Sequence, residues 1–529
     1  MATMTQRVKW WGWGDPSRNL ELKSDFQNYL FDRLNISDRE RESAHSLPEI
    51  LPPNPEVAKS LSGSMEDSDR LAHAAGKSYV DLIRIRKPRI DLAPDAVVWP
   101  ESVADLNRIF QVSRKEGWAV VPFGGGTSVL RGVEPISGPK KGVVTVNLTR
   151  MNRILSLDKT SHTAHIQAGI FGPALESHLS SEGFELGHYP QSFEFSTLGG
   201  WIAARSAGQN STGYGRIEDL VVSLRAITPE GEIVTREVPS SATGPEMEEV
   251  LIGSEGTLGI ITDAVMRIHE KPDRIFYASY LCSTFSEGID VLRGLAQKGP
   301  VPTIARLSDE PETELSFKQA GADSKLGFKL LKMMGKRAYV EKGAHLLLGY
   351  EDQYLSTIGE SLRKGDLIKI GKSPGEKWEK TRFDLPYFRD TLMDYGILVE
   401  TLETATTWSK LNNLYQKVRL SILEAIPNAL VLTHVSHIYP EGASLYFTFM
   451  ADAKGKELET WKRGKEAANR AILSNGGTMS HHHGVGMDHI EGLQEERGPL
   501  QMKMLRSMKE TLDPNGILNP GKLIPDALS

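Results

Sequence analysis

The stretch Trp118-Ala119-Val120-Val121-Pro122-Phe123-Gly124-Gly125-Gly126-Thr127-Ser128 constrains this chain more than any other. A short apolar run passes without a break into three glycines. Upstream, Ser102 and Asp105 have the spacing of a capping box, with Val103, Leu106, Ile109 and Phe110 on one helical face and Gly117 where a terminating glycine belongs. Helix, buried strand and glycine loop therefore follow one another. Three successive glycines let the backbone turn tightly, so that several N–H groups converge on one concavity. Such a nest accepts a phosphate without any side chain, and Thr127 and Ser128 add hydroxyl donors. The loop does not extend to G-x-G-x-x-G, which argues against a Rossmann site. Gly365 and Gly371-Lys372-Ser373 miss a Walker A loop, with five residues between the glycines where about four are required.

At 529 residues the chain exceeds one compact core, so two or more domains are expected, and the pattern along it falls into four parts. Residues 1–90 form an N-terminal extension whose Trp10, Trp11 and Trp13 plug onto the main domain, with a break at Leu51-Pro52-Pro53-Asn54-Pro55. Residues 91–271 carry α/β patterning. Val144, Val146 and Leu148 alternate with polar residues, as do Ala164, Ile166 and Ala168, which predicts strands. Residues 272–475 mix strands with amphipathic helices, including a core stripe around Phe328–Met334, and residues 476–529 end the chain with a histidine-rich loop. A net charge of −6 argues against a nucleic-acid partner. Cys282 is the sole cysteine, which excludes an intrachain disulfide and a cysteine metal site. Without a secretory leader, an S-K-L terminus or about 18 consecutive apolar residues, the cytoplasm is the expected location, and a peripheral membrane contact stays open.

The string His481-His482-His483-Gly484-Val485-Gly486 can supply a base, anion donors or metal ligands. Upstream lies Leu432-Thr433-His434-Val435-Ser436-His437, then the alternating run Ala443–Phe449, which puts Tyr446 and Thr448 on one strand face. A phenol there could act as acid or base if nearby charges lowered its pKa from about 10. Arg389 and Arg306 are candidate anion anchors.

Four segments besides the glycine loop carry a resemblance. They are Gln191-Ser192-Phe193-Glu194-Phe195-Ser196-Thr197, Ala204-Arg205-Ser206-Ala207, Tyr214–Val221, and Glu255-Gly256-Thr257-Leu258-Gly259-Ile260-Ile261. With Pro122–Ser128 they resemble, in order, the FAD-binding domain of the vanillyl-alcohol-oxidase/p-cresol-methylhydroxylase superfamily. That resemblance implies an α+β fold in which a two-subdomain FAD-binding domain is joined to an α+β cap carrying the substrate. It implies FAD held by the glycine loop and by the first, second and fourth of those segments. Relatives tether the flavin to a histidine where this chain has Thr127, so a non-covalent, dissociable FAD is expected.

Over the whole chain, the succession Trp10–Asp15, Pro122–Ser128, Ser254–Ile261, Arg389, Tyr446 and His481–Gly486 is similar to the alkylglycerone-phosphate synthase family. The similarity implies exchange of the acyl chain of acylglycerone phosphate for a fatty alcohol, making an ether lipid through a flavin N5 adduct at C1 with no net redox change. It assigns the C1 proton to Tyr446, with His482 in support and His481 and His483 lining the same pocket. Arg389 would bind the phosphate, with Arg306 and Thr401 nearby, no metal would be needed, and the protein would be a homodimer. His434 and His437 have no counterpart in the family pattern, and the peroxisomal targeting extension of its eukaryotic members is not seen here. The rival resemblance is to FAD-linked D-2-hydroxyacid dehydrogenases, whose G-E-H-G-I-G string has its end matched by His483-Gly484-Val485-Gly486. On that reading His434, Glu441 and His482 would hold a metal. A third reading is a non-catalytic flavin-binding sensor.

Overall fold

The computed structural model describes residues 8–42, 46–321, 336–351 and 367–525, and the stripe at Phe328–Met334 lies outside them. The capped helix spans Val103–Glu116 with its capping box closed, and Gly117 ends it at φ +75°. The strand that follows, Ala119–Phe123, delivers the glycine loop.

Ala119–Phe123 belongs to a three-stranded parallel sheet with Ala96–Val98 and, in the centre, Val143–Asn147. All five residues of the central strand are buried, Thr145 and Asn147 included, and Leu148 opens a short 3-10 turn. The half-polar alternation expected for Val144, Val146 and Leu148 is therefore corrected. A parallel strand covered on both faces has no solvent side, so its polar residues go inside, where Asn147 bonds His73 and Thr149 while the Thr145 hydroxyl has no protein partner. The second sheet is antiparallel and five-stranded. In its strand Thr163–Gln167, Ala164 and Ile166 are buried while Thr163 and His165 are half-buried, as the alternation predicts.

A seven-stranded sheet spans Ile275–Asp452 and is covered by the long helices Trp408–Ala425 and Glu457–Ser474. Its strand Gly442–Asp452 lies between Leu430–Ile438 and Ile397–Thr407. The ends of the chain pack into these cores rather than beside them. Phe26, Leu30 and Phe31 of the helix Ser24–Arg33 are buried with Phe388, Val399, Leu432 and Met450. Val57, Ala58 and Leu61 share a core with Ala96, Val98, Val144 and Val146. Leu493 and Met502 of the last helix are buried with Ile166 and Leu175. Trp13 packs edge-on against Phe195, and its backbone N–H donates to the Asp390 carboxylate at 2.5 Å.

Candidate functional site

A cavity of about 430 Å³ runs from the glycine loop to the face of the seven-stranded sheet. All seven residues Pro122–Ser128 line it. Here the glycines are required by contact. A Cβ on Gly124 would lie 2.3 Å from Thr197 Oγ1, one on Gly125 would lie 1.7 Å from the Phe195 carbonyl oxygen, and Gly126 sits at φ +68°. Loop and neighbouring segment thus approach backbone to backbone, leaving a cradle that any side chain at these positions would disrupt. Ser128 Oγ accepts the Gly132 N–H at 2.9 Å, which leaves its own proton to donate. This donor set and this clearance fit a flavin dinucleotide.

Gln191, Ser192, Ser196, Thr197, Ala204, Ser206, Ala207, Glu255, Gly256, Gly259, Ile260 and Ile261 also line the cavity. Six of the expected cofactor contacts do not, and each has another partner. Phe193 is buried in the core against Trp201 and Phe383, Glu194 pairs with Arg18, and Phe195 packs on Trp13. Arg205 turns outward to Glu249, Thr257 Oγ1 donates to the Ser254 carbonyl, and Leu258 is core. Glu255 borders the cavity, but its carboxylate accepts the N–H groups of Val485 at 2.5 Å and Gly486 at 2.7 Å. Burial pushes this carboxyl up to about 7 against the pull of those two donors.

On the sheet side, His434, Tyr446 and Glu403 stand side by side on three adjacent strands. Tyr446 stacks on His434 and lies 6.0 Å, ring to ring, from His482. Burial pushes its hydroxyl up to about 12, with Glu403 and Glu400 adding to the rise while Thr401 and Arg389 oppose it. The expectation that local charge lowers this phenol is corrected: desolvation outweighs the cation.

Arg389 lines the cavity from the helix Leu385–Met393. Its Nη1 donates to the Lys77 carbonyl at 2.9 Å, while its buried Nε has no protein partner. Arg306 also lines the cavity but is engaged, with Nη2 at 2.7 Å from Glu312 and 3.1 Å from His434 Nδ1. The same His434 Nδ1 lies 3.2 Å from Glu312 Oε1, so it stands between a group that only donates and one that only accepts. Burial opposes ionisation of Glu312, but His434 and Arg306 outweigh it and hold that carboxyl well below its usual range. Arg306 therefore faces an anion with its charge already matched, unlike Arg389.

His482 and His483 line the cavity with Thr401, whereas His481 stands behind them, its Nε2 2.7 Å from the Tyr439 hydroxyl. Burial, then the neighbouring imidazoles, holds His481 and His482 well below the ordinary histidine range. The loop that carries them is fastened by residues the sequence did not single out. Glu403, 1% exposed, accepts the backbone N–H groups of His481, His482 at 3.1 Å and His483 at 2.7 Å, and the Ser480 hydroxyl at 2.8 Å. Nothing local marked Glu403 out, since Glu400 stands three residues before it on the same strand. Gly484 and Gly486 sit at φ +86° and +53°, and a Cβ on Gly486 would lie 1.8 Å from the Leu130 carbonyl oxygen. This explains the H-G-V-G spelling.

The metal set His434, Glu441 and His482 is not brought together in that form: Glu441 is exposed beyond the strand end. Among the described residues, the one group close enough to share an ion is His437, His481 and His482, with ring nitrogens within 4.8 Å of one another. These rings are already hydrogen-bonded, His437 to Ser436 and the Gly208 carbonyl, and His481 to Tyr439 and His482.

Sheet arrangement and cradle define a flavoprotein of the FAD-linked oxidase class. Residues 94–236 match the FAD binding domain family and residues 271–523 the C-terminal domain of FAD linked oxidases, and the cofactor is FAD. The p-cresol methylhydroxylase structure shares the fold, at a TM-score of 0.66 and 14% identity over 89% of this chain and 97% of that one. The chain is 37% identical to the alkyldihydroxyacetonephosphate synthase of Dictyostelium discoideum and 33% identical to that of Trypanosoma brucei brucei. Each match covers 86% of this chain and 77% of the relative. A solved alkyldihydroxyacetonephosphate synthase superposes with a TM-score of 0.83 at 30% identity, over 98% of this chain and 100% of that one. The chain belongs to the alkyldihydroxyacetonephosphate synthase family.

Proposed function

We propose that this enzyme exchanges the acyl group of acylglycerone phosphate for a long-chain alcohol. The C1–O bond to the acyl carboxylate breaks and a C1–O bond to the alcohol forms. The alcohol's proton leaves with the fatty acid, and no electrons are lost or gained overall. The observation that carries the reading is the placement of Tyr446 on a cavity wall shared with Arg389, His482 and the glycine-loop cradle. Oxidised FAD, when bound along that cradle, supplies an electrophilic acceptor.

Arg389, with Nε unpartnered, takes the phosphate. Tyr446, held near 12, is protonated at neutral pH and delivers a proton at C1, while the neutral imidazole of His482 is the group able to take one away. Thr401 restrains the phenol from the adjacent strand. Leu315, Leu385, Phe388, Val399, Leu432 and Met450 give the cavity an apolar wing suited to a fatty chain, and Leu385, 53% exposed, marks its mouth.

In this reading residues 91–271 hold the flavin without a covalent bond, residues 272–475 form the substrate side and the segment from 476 brings the histidines. The protein works as a cytoplasmic homodimer that touches a membrane surface to collect its lipids. Among the described residues no helix is long and apolar enough to cross a membrane.

The deciding experiment supplies purified holoenzyme with acylglycerone phosphate and a labelled long-chain alcohol. Label is expected in an ether product with release of fatty acid, and Tyr446→Phe should lower the rate on the order of 10²-fold or more. Flavin bleaching by D-lactate without alcohol exchange would sink the reading in favour of a 2-hydroxyacid dehydrogenase.

A further inference from the structure

The histidine triplet carries a question of proton placement that the surrounding contacts answer. His481 Nδ1 and His482 Nδ1 are 2.9 Å apart, so one of them donates and the other accepts. Burial keeps both rings neutral, each with a single N–H. If His481 Nδ1 carries the shared proton, His482 must carry its own on Nε2 and presents the cavity with a donor. If His482 Nδ1 carries it, His482 Nε2 is a lone pair and the cavity meets a base. In the second arrangement the proton of His481 sits on Nε2 and is donated to the Tyr439 oxygen 2.7 Å away.

Glu403 breaks this symmetry. Its Oε2 lies 4.0 Å from His482 Nδ1 and its Oε1 lies 3.5 Å from His483 Nδ1, in a pocket where the carboxylate is 1% exposed. A buried negative charge at that range favours an N–H over a lone pair on the facing nitrogen, by roughly tenfold or more in the tautomer ratio. The same carboxylate receives three consecutive backbone N–H groups and the Ser480 hydroxyl, so it cannot rotate away from the rings it polarises.

We propose that Glu403 is a positioning residue that places the His482 proton on Nδ1, leaving Nε2 as the proton acceptor beside Tyr446. This rests on the reading of His482 as the group that takes a proton during alcohol exchange. Glu403 itself reaches no reacting atom; it acts through the histidines.

The test is a long-range ¹H–¹⁵N correlation spectrum of the holoenzyme labelled with ¹⁵N-histidine, recorded without substrate, with His482 assigned through its loss in His482→Gln. Native enzyme should show His482 as the Nδ1–H tautomer, and Glu403→Gln should move it toward Nε2–H. The same variant should lower kcat on the order of 10²-fold while KM stays within about threefold and FAD content is unchanged. An Nε2–H tautomer in the native enzyme would overturn the proposal, as would a Glu403→Gln enzyme with native tautomer and native kcat. Should that variant fail to fold, the native spectrum decides alone. Absence of alcohol exchange in the native enzyme would remove the proposed reaction and leave the tautomer result standing.

Discussion

His434 lies flat against Tyr446, ring centroids 4.9 Å apart and planes 17° from parallel, and the two are partners across adjacent strands. Behind His434 stand Arg306 and Glu312, so the orientation of the phenol depends on a half-buried ion pair two residues removed from it.

Breaking that pair should be costly. Glu312→Gln leaves the Arg306 guanidinium facing a neutral ring, and a loss of about 1–3 kcal/mol in urea unfolding is expected for this half-buried pair. Because the native carboxyl is held below its unfolded value, the pair's contribution is present above the ordinary carboxylate range. It fades as the pH drops through and below that range. The stability gap between native and variant protein should therefore shrink between about pH 4.5 and pH 2.5. A gap that stays constant there would contradict the assignment.

Glu255 should behave oppositely. Its carboxyl is raised to about 7, so its favourable contribution is complete below the unfolded value and is lost as the pH rises through about 7. Melting curves of native protein and Glu255→Gln, taken from pH 4 to 8, should converge as the pH increases. Divergence would show that the two N–H donors of Val485 and Gly486 outweigh burial.

Two glycine replacements make a matched pair. Gly125→Ala puts a methyl 1.7 Å from the Phe195 carbonyl, and bound FAD, read from its visible absorbance, should fall below about a tenth of native occupancy. Gly294→Ala, inside the helix Phe285–Lys298 with open space around its Cβ, should instead stabilise the fold by about 0.5–1 kcal/mol. Equal effects would show that the cradle is not set by close approach.

Arg389→Lys tests whether the guanidinium, whose Nε has no protein partner, grips the phosphate. An ammonium keeps the charge but loses the planar fork, so kcat/KM for the phosphorylated substrate should fall on the order of 10²-fold with FAD retained. Arg306→Lys, at a position whose charge Glu312 already matches, should cost at most about tenfold. Reversal of that order would move the anion anchor to Arg306.

Much of this arrangement could be read in the sequence because it depends on local chemistry. The capping box at Ser102 and Asp105, the glycines at 124–126 and the face shared by Tyr446 and Thr448 are each decided within a few residues. What escaped are long-range partnerships. Glu403 meets residues nearly eighty positions away, Glu255 meets residues 230 positions away, and nothing in either neighbourhood announces the other end. The neutralisation of Arg306 by Glu312 was hidden for a different reason. A helix turn returns Glu312 beside a strand, and an arginine looks the same in sequence whether or not its charge is matched. The burial of Thr145 and Asn147 was missed because alternation is the mark of a strand with one wet face, and only the neighbouring strands on either side show that Val143–Asn147 has none.

The histidine loop donates three backbone N–H groups to Glu403, rooted in the seven-stranded sheet, and two to Glu255, rooted beside the flavin cradle. The backbone that carries the three imidazoles is thus the rivet between the seven-stranded sheet and the flavin cradle. Parting the sheet from the cradle would shear that rivet, all five hydrogen bonds at once. Damage to the seam would register first as lost turnover, and only later as a lost fold.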